Sequence, residues 1–224
     1  MVGSSGRSHL RGWPIMLATR MRMASEIQWA LEFGAAADRV TVSDHATIQN
    51  IFDGGGFVEA TIRADGMGGN NFGRIYDNGV GGFLVVDLSG GDCALRFSVN
   101  FSTTDGIWTT DNRVITIGQI HLVRVEYNSG ATANNPVIYV DGVSAGAISR
   151  TQAPVGTRTS SAGNALILGN NVAQNRVWDG RIYNMQFNGG ARWPMNEGSG
   201  DTVIDNSINN NHGTIVGADW VLKG

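Results

Sequence analysis

A single cysteine, Cys93, excludes a disulfide within the chain, so the fold must rest on its core alone. Cys93 sits in an alternating stretch, where it reads as a small core residue. Proline occurs only four times in 224 residues, and Lys223 is the one lysine among 16 basic groups. No apolar run approaches the ~18 residues of a membrane-crossing helix. No long stretch carries the 3.6-residue apolar period of an amphipathic helix. The stretch GWPIMLA is too short for a signal-peptide core and is followed by Arg20 and Arg22. The expectation is therefore a protein made in a cytoplasm, without a signal peptide.

Charge is also scarce, at 16% of residues, and unevenly placed. Arg7, Arg11, Arg20 and Arg22 are the only charged residues before Glu26. The rest of the chain keeps 12 of the 16 basic groups against all 19 acidic ones, a balance of about −7. A basic arm thus precedes an acidic body. Nucleic-acid binding needs a clustered basic face, and an acidic body excludes that class.

Glycine is abundant, with 32 residues, and 42% of the chain is hydrophobic. That composition suits short strands joined by tight turns around a real core. Residues 1–25 lack any alternating pattern and read as a docking arm, with Arg7, Arg11, Trp13, Arg20 and Arg22 as its contact residues. Ser25 and Gln28 form a capping-box pattern, but Trp29, Leu31 and Phe33 alternate, which favours a strand. Residues 26–224 then form one domain.

Period-2 alternation recurs along that domain. Val40 and Val42 share a face, as do Val58, Ala60, Ile62 and Ala64. In CALRFSVNF, Cys93, Leu95, Phe97, Val99 and Phe101 point one way, while Arg96, Ser98 and Asn100 point the other. IHLVRVEYN puts Val123, Val125 and Tyr127 together, and Asp141-Gly142 marks a two-residue hairpin. DHATIQNIF reads as one helical turn. About a dozen such strands, apolar on one face and polar on the other, predict an all-β, two-sheet antiparallel sandwich.

The order of segments adds a likeness. ALEFGAAADRVTV is followed by GGGFVEATIRADG, IHLVRVEYNSG, VIYVDGVSAGAI, ALILGNNVAQNRVWDGRIYNMQFNGG and NEGSGDTVIDNSINNNHGTIVGADW. This succession, from Trp29 to Val221, resembles the concanavalin A-like, laminin-G-like jelly-roll family, which includes pentraxin-like lectin domains. In many members the EGSG…D…N…G segment leads the domain, whereas here it closes it. The late placement resembles versions in tailed-phage virion proteins. The likeness makes the last segment part of the sandwich, with Trp193 and Trp220 anchoring its ends. Val203, Ile204, Ile215 and Val216 are expected to supply its apolar contacts.

Catalytic patterns are missing. Glycosidases of this family carry Glu-x-Asp-x-x-Glu on one strand, which is absent here. Glu59 and Asp65 are too far apart for it, and Glu197 and Asp201 flank turn residues. His9, His45, His121 and His212 are dispersed, and no Gly-x-Ser-x-Gly or His-Glu-x-x-His motif occurs. The sequon at Asn100 has no evident route to glycosylation.

Binding residues are easier to nominate. Trp108, and Trp178 with Asn170, Asn171 and Asn175, offer aromatic faces and amides for a sugar; buried packing is the competing role for both tryptophans. The loop DNSINNN offers Asp205, Asn206, Asn209 and Asn211 as hard oxygen ligands for calcium, which several members of the family bind at the sandwich rim. The competing role is turn capping. No cofactor is required by this reading. The expected function is a non-enzymatic virion surface protein, tail-fibre-associated or capsid-decorating. It would bind host glycan or neighbouring virion subunits, attach through its arm and form a homo-oligomer. A free calcium-dependent lectin and a glycoside hydrolase of the same fold are the alternatives.

Overall fold

The computed structural model describes residues 29–87 and 92–223. The proposed arm, with Arg7, Arg11, Trp13, Arg20 and Arg22, lies outside them, as do Ser25 and Gln28. Among the described residues, seventeen strands form two antiparallel sheets, and no α-helix occurs. The first sheet runs β10 (Val143–Ser144), β9 (Val137–Val140), β8 (Ile120–Tyr127), β3 (Gly56–Ala64), β13 (Gly180–Phe187), β1 (Trp29–Phe33) and β17 (Asp219–Leu222). A short β14 (Arg192–Trp193) also pairs with β13.

The second sheet runs β11 (Ile148–Gln152), β7 (Gly106–Thr110), β6 (Cys93–Val99), β5 (Gly81–Asp87), β4 (Arg74–Asp77), β12 (Leu166–Leu168), β2 (Arg39–Val42), β16 (Gly213–Val216) and β15 (Thr202–Val203). The all-β sandwich and its antiparallel pairing are as the alternation predicts.

The inward faces are the predicted ones. Val58, Ala60, Ile62 and Ala64 of β3 are fully buried, as are Val123 and Val125 of β8 and Cys93, Leu95 and Phe97 of β6. One aromatic cluster ties the layers together. Trp108 of β7 lies 5.1 Å from Tyr127 of β8 and 6.0 Å from Phe97 of β6, and Phe52 meets Phe97 edge-on at 5.1 Å. Each such contact adds about 0.5–1.5 kcal/mol beyond the area buried. The expected helical turn at DHATIQNIF is instead a pair of hydrogen-bonded turns that bury Ile48, Ile51 and Phe52.

Asp141 (φ 53) and Gly142 (φ 80) form the two-residue turn between β9 and β10, both left-handed as a type I′ hairpin requires. Gly169, after β12, has φ +74, and a Cβ there would lie 2.3 Å from the Phe33 ring. Only glycine gives Phe33 that room.

The closing segment belongs to the sandwich. β15 and β16 extend the second sheet beyond β2, while β17 pairs with β1 in the first. Trp193 is fully buried, and Trp220 packs against the core. Alternation divides the apolar residues more sharply than expected. Val203 and Ile215 are buried, whereas Ile204 is 37% exposed and Val216 is half-buried.

Candidate functional site

The outer face of the first sheet carries the most developed surface chemistry. Along β3, Phe57, Glu59, Thr61 and Arg63 point outward, because their neighbours fill the core. On β8 the outward residues are Leu122, Arg124 and Glu126, and on β9 they are Val137 and Tyr139. Register sets Phe57 opposite Glu126, Glu59 opposite Arg124, and Arg124 opposite Tyr139.

Arg124 lies over the Phe57 ring, 3.8 Å from its centroid. It donates from Nε to Glu126 at 2.8 Å and from Nη1 to Glu59 at 3.5 Å. Gln186 of β13 donates to the other Glu59 oxygen at 2.8 Å. The guanidinium is thus fixed by two carboxylates and an aromatic face.

Beside this array an open groove of about 440 Å³ is lined by Gly55, Gly56, Phe57, Arg124, Glu126, Tyr127, Asn128, Asn135 and Asn188. Three carboxamides line it, from the turn after β8, the residue before Pro136, and the turn after β13. Asn128 Oδ1 accepts the Gly130 N–H at 2.9 Å, and Asn135 Oδ1 accepts the Trp108 indole N–H at 2.9 Å. A second concavity on the same face, about 290 Å³, is lined by Glu59, Leu122, Arg124, Glu126, Tyr139 and Gly142. Aromatic and amide groups around a shallow polar groove suit a hydroxylated ligand.

The residues nominated from sequence lie elsewhere. Trp108 and Trp178 are both 0% exposed, so neither ring face is open for a sugar to stack upon. Trp108 belongs to the aromatic cluster, and Trp178 packs in the core beneath Gly169, whose carbonyl accepts its backbone N–H at 2.8 Å. Asn170 is also fully buried. It donates to the carbonyls of Ala36 and Asp38 at 2.9 and 3.0 Å, and accepts the N–H groups of Asn171 and Arg176. All four of its hydrogen-bonding positions are used, which makes it a clamp between loops. Asn171 and Asn175 bond to each other at 3.0 Å. The expected cluster around Trp178 is therefore a structural knot.

The calcium loop is corrected in the same way. Asp205 is 2% exposed and turned inward. Its Oδ1 accepts N–H groups from Arg192 and Ser207, and its Oδ2 accepts the Ser207 hydroxyl and the Asn211 N–H, at 2.7–2.9 Å. Burial alone would raise its pKa, but these donors outweigh it and hold Asp205 below the ordinary carboxylate range. No lone pair is left for a metal. Asn211 donates to the Thr47 hydroxyl at 3.0 Å, the Asn206 backbone N–H donates to the Arg192 carbonyl, and Asn209 Nδ2 reaches the Gly189 carbonyl at 3.5 Å. The residues brace a loop, as Asp and Asn do in turns.

Carboxylates gather elsewhere, around a cavity of about 390 Å³ lined by Glu32, Asp38, Asp65, Asp179 and Asp219. Burial and the nearby Asp65 charge push Asp179 above the usual range. Asp38 is spent on the Gly34 and Ala35 N–H groups, and Asp65 on Arg63. No group of three or more His, Cys, Asp or Glu side chains converges as a metal site among the described residues.

The architecture is that of a two-sheet jelly-roll sandwich. The crystal structure of a native heptameric SAP-like pentraxin from Limulus polyphemus superposes with a TM-score of 0.51, over 73% of this chain and 76% of that one, at 15% sequence identity. No family model matches the chain, and no curated protein matches it.

Alternation held the signal that points to the groove. In GFVEATIRA, Phe57 falls on the polar face of its strand, opposite Glu126. A large aromatic out of phase with the core is the sequence mark of a surface contact residue. Asn128, Asn135 and Asn188 carry no such mark, because they look like any turn asparagine.

Proposed function

We propose that this protein is a non-enzymatic recognition module that binds glycan in the groove on the outer face of its first sheet. The observation that carries the reading is the Phe57–Arg124 stack, flanked by Glu126, Asn128 and Asn135, on the outer face of the first sheet. The lectin-like sandwich fold supports it. The nearest carboxylate pair argues for binding over hydrolysis. Glu59 and Glu126 are both tied to Arg124, whereas a glycosidase pair must face one sugar bond.

The setting we propose is the surface of a phage-like virion, as a tail-fibre-associated or decorating subunit in a symmetric homo-oligomer. The late NEGSG segment, which resembles phage virion versions of the family, and the basic residues 1–25 support this setting. The heptameric state of the Limulus pentraxin supports the oligomer. The arm would dock on an acidic neighbouring subunit and the groove would face the host.

A glycan array probed with the purified chain, in calcium and again in chelator, tests the binding function. Specific binding lost in Phe57→Ala and Arg124→Ala is expected, and an array silent in both conditions overturns it. Copurification with particles, abolished by deleting residues 1–25, tests the virion setting. Attachment that survives the deletion removes the arm from it.

A further inference from the structure

We infer that Trp108, though buried, is a positioning residue for the groove, fixing Asn135 as a hydrogen-bond donor that selects ligands presenting a carbonyl or carboxylate oxygen. This rests on the proposal that the groove binds glycan, and deepens it by naming the ligand chemistry.

An indole nitrogen donates and never accepts. Its partner at 2.9 Å on Asn135 must therefore be the carbonyl oxygen, and the amide orientation follows from chemistry. Trp108 itself is 0% exposed and wedged between Phe97 and Tyr127, so its N–H points in a fixed direction. With Oδ1 held from inside, the Nδ2 group of Asn135 is the free branch of an exposed side chain on the groove wall.

Asn128 repeats the arrangement. Its Oδ1 is held by the Gly130 N–H, and its Nδ2 makes no hydrogen bond within the described structure. Two neighbouring carboxamides thus present free donors, while each oxygen is turned towards a protein N–H and keeps one lone pair. A free amide can rotate to offer either group, but these cannot without breaking a bond on the other side. The groove wall is polarised towards ligand acceptors, such as an acetamido carbonyl or a uronic-acid carboxylate.

The test compares glucose-, N-acetylglucosamine- and glucuronate-terminated ligands on wild type, Trp108→Phe and Asn135→Asp. Asn135→Asp keeps the oxygen that accepts from Trp108 and turns the groove-facing donor into an acceptor. Wild type is expected to prefer the two acceptor-bearing ligands over glucose. Asn135→Asp should weaken them by about tenfold, the usual worth of such a hydrogen bond, and Trp108→Phe by less, with glucose affected little. Wild-type binding without that preference, or binding that Asn135→Asp leaves intact, overturns the inference while leaving the glycan function standing.

If no glycan binds, the function fails, and the positioning is still decided without ligand. In amide NMR, the Trp108 indole N–H should be protected from exchange, and the Asn135 Nδ2 pair should shift on Trp108→Phe. An unprotected indole N–H or an unmoved Asn135 pair overturns it.

Discussion

The indole nitrogen of Trp193 donates a 2.8 Å hydrogen bond to the backbone carbonyl of Asn211, fastening the polar closing loop to the strand that precedes it. Both residues are buried, Trp193 at 0% and Asn211 at 7% exposure. Trp193→Phe keeps most of the apolar volume but strands the Asn211 carbonyl, at a cost of about 1–3 kcal/mol. Trp193→Ala adds a cavity and should cost about 3–5 kcal/mol. Urea unfolding of both variants checks the order. A Trp193→Phe variant as stable as wild type would mean that packing alone holds the loop.

Asp205 makes the same loop sensitive to acid. Its folded pKa lies below the unfolded value because four donors stabilise the charged form. The stability it contributes is therefore fully present above the ordinary Asp pKa and is lost as pH falls through the lower folded value. Asp77 and Asp179, both raised chiefly by burial, act in the opposite sense. Comparing wild type with Asp205→Asn isolates the one group. Asp205→Asn should be less stable at neutral pH by about 2 kcal/mol, with the gap closing at strongly acidic pH. A gap independent of pH would contradict the hydrogen-bond account.

Calcium should not act through this loop. Asp205 has no oxygen lone pair to spare, and Asn206 and Asn209 alone fall short of the six to eight oxygens calcium takes. The double variant Asn206→Ala, Asn209→Ala is expected to show the same Tm response to calcium and chelator as wild type, measured by thermal melts. A calcium stabilisation that vanishes in the double variant would restore the loop as a metal site.

These outcomes mark where sequence speaks and where it is silent. The inward faces of β3, β6 and β8 were legible because alternation is a local property, enforced by the pleat. The role of the closing segment was legible because two tryptophans need a core. The direction of Asp205 was not legible. An Asp/Asn-rich loop has the same letters whether its oxygens turn out to a cation or in to Arg192, Ser207 and Asn211. Trp108 and Trp178 were misplaced for a similar reason. A tryptophan beside turn asparagines fits a sugar platform or a buried wedge equally well, and only the packing of the opposite sheet decides. The groove went unseen because Phe57, Arg124 and Asn135 are far apart in sequence and meet only across strand register.

Surface chemistry and core chemistry should separate cleanly in binding data. Arg124 stacks on Phe57 and joins Glu59 to Glu126, so Arg124→Ala both uncovers the ring and frees two carboxylates that then repel each other. Glycan affinity should fall about tenfold or more. Arg124→Lys retains the charge but loses the planar stack and fork, and should recover only part of it. Trp178→Phe, in contrast, removes an indole N–H that has no partner among the described residues. It should leave binding unchanged and cost only the small cavity left by the indole's second ring, because no hydrogen bond is lost. Isothermal titration with the best array ligand, alongside Tm, checks the set. If Trp178→Phe abolished binding while Arg124→Ala spared it, the ligand would have to sit at the Asn170–Asn175 knot and not on the outer face of the first sheet.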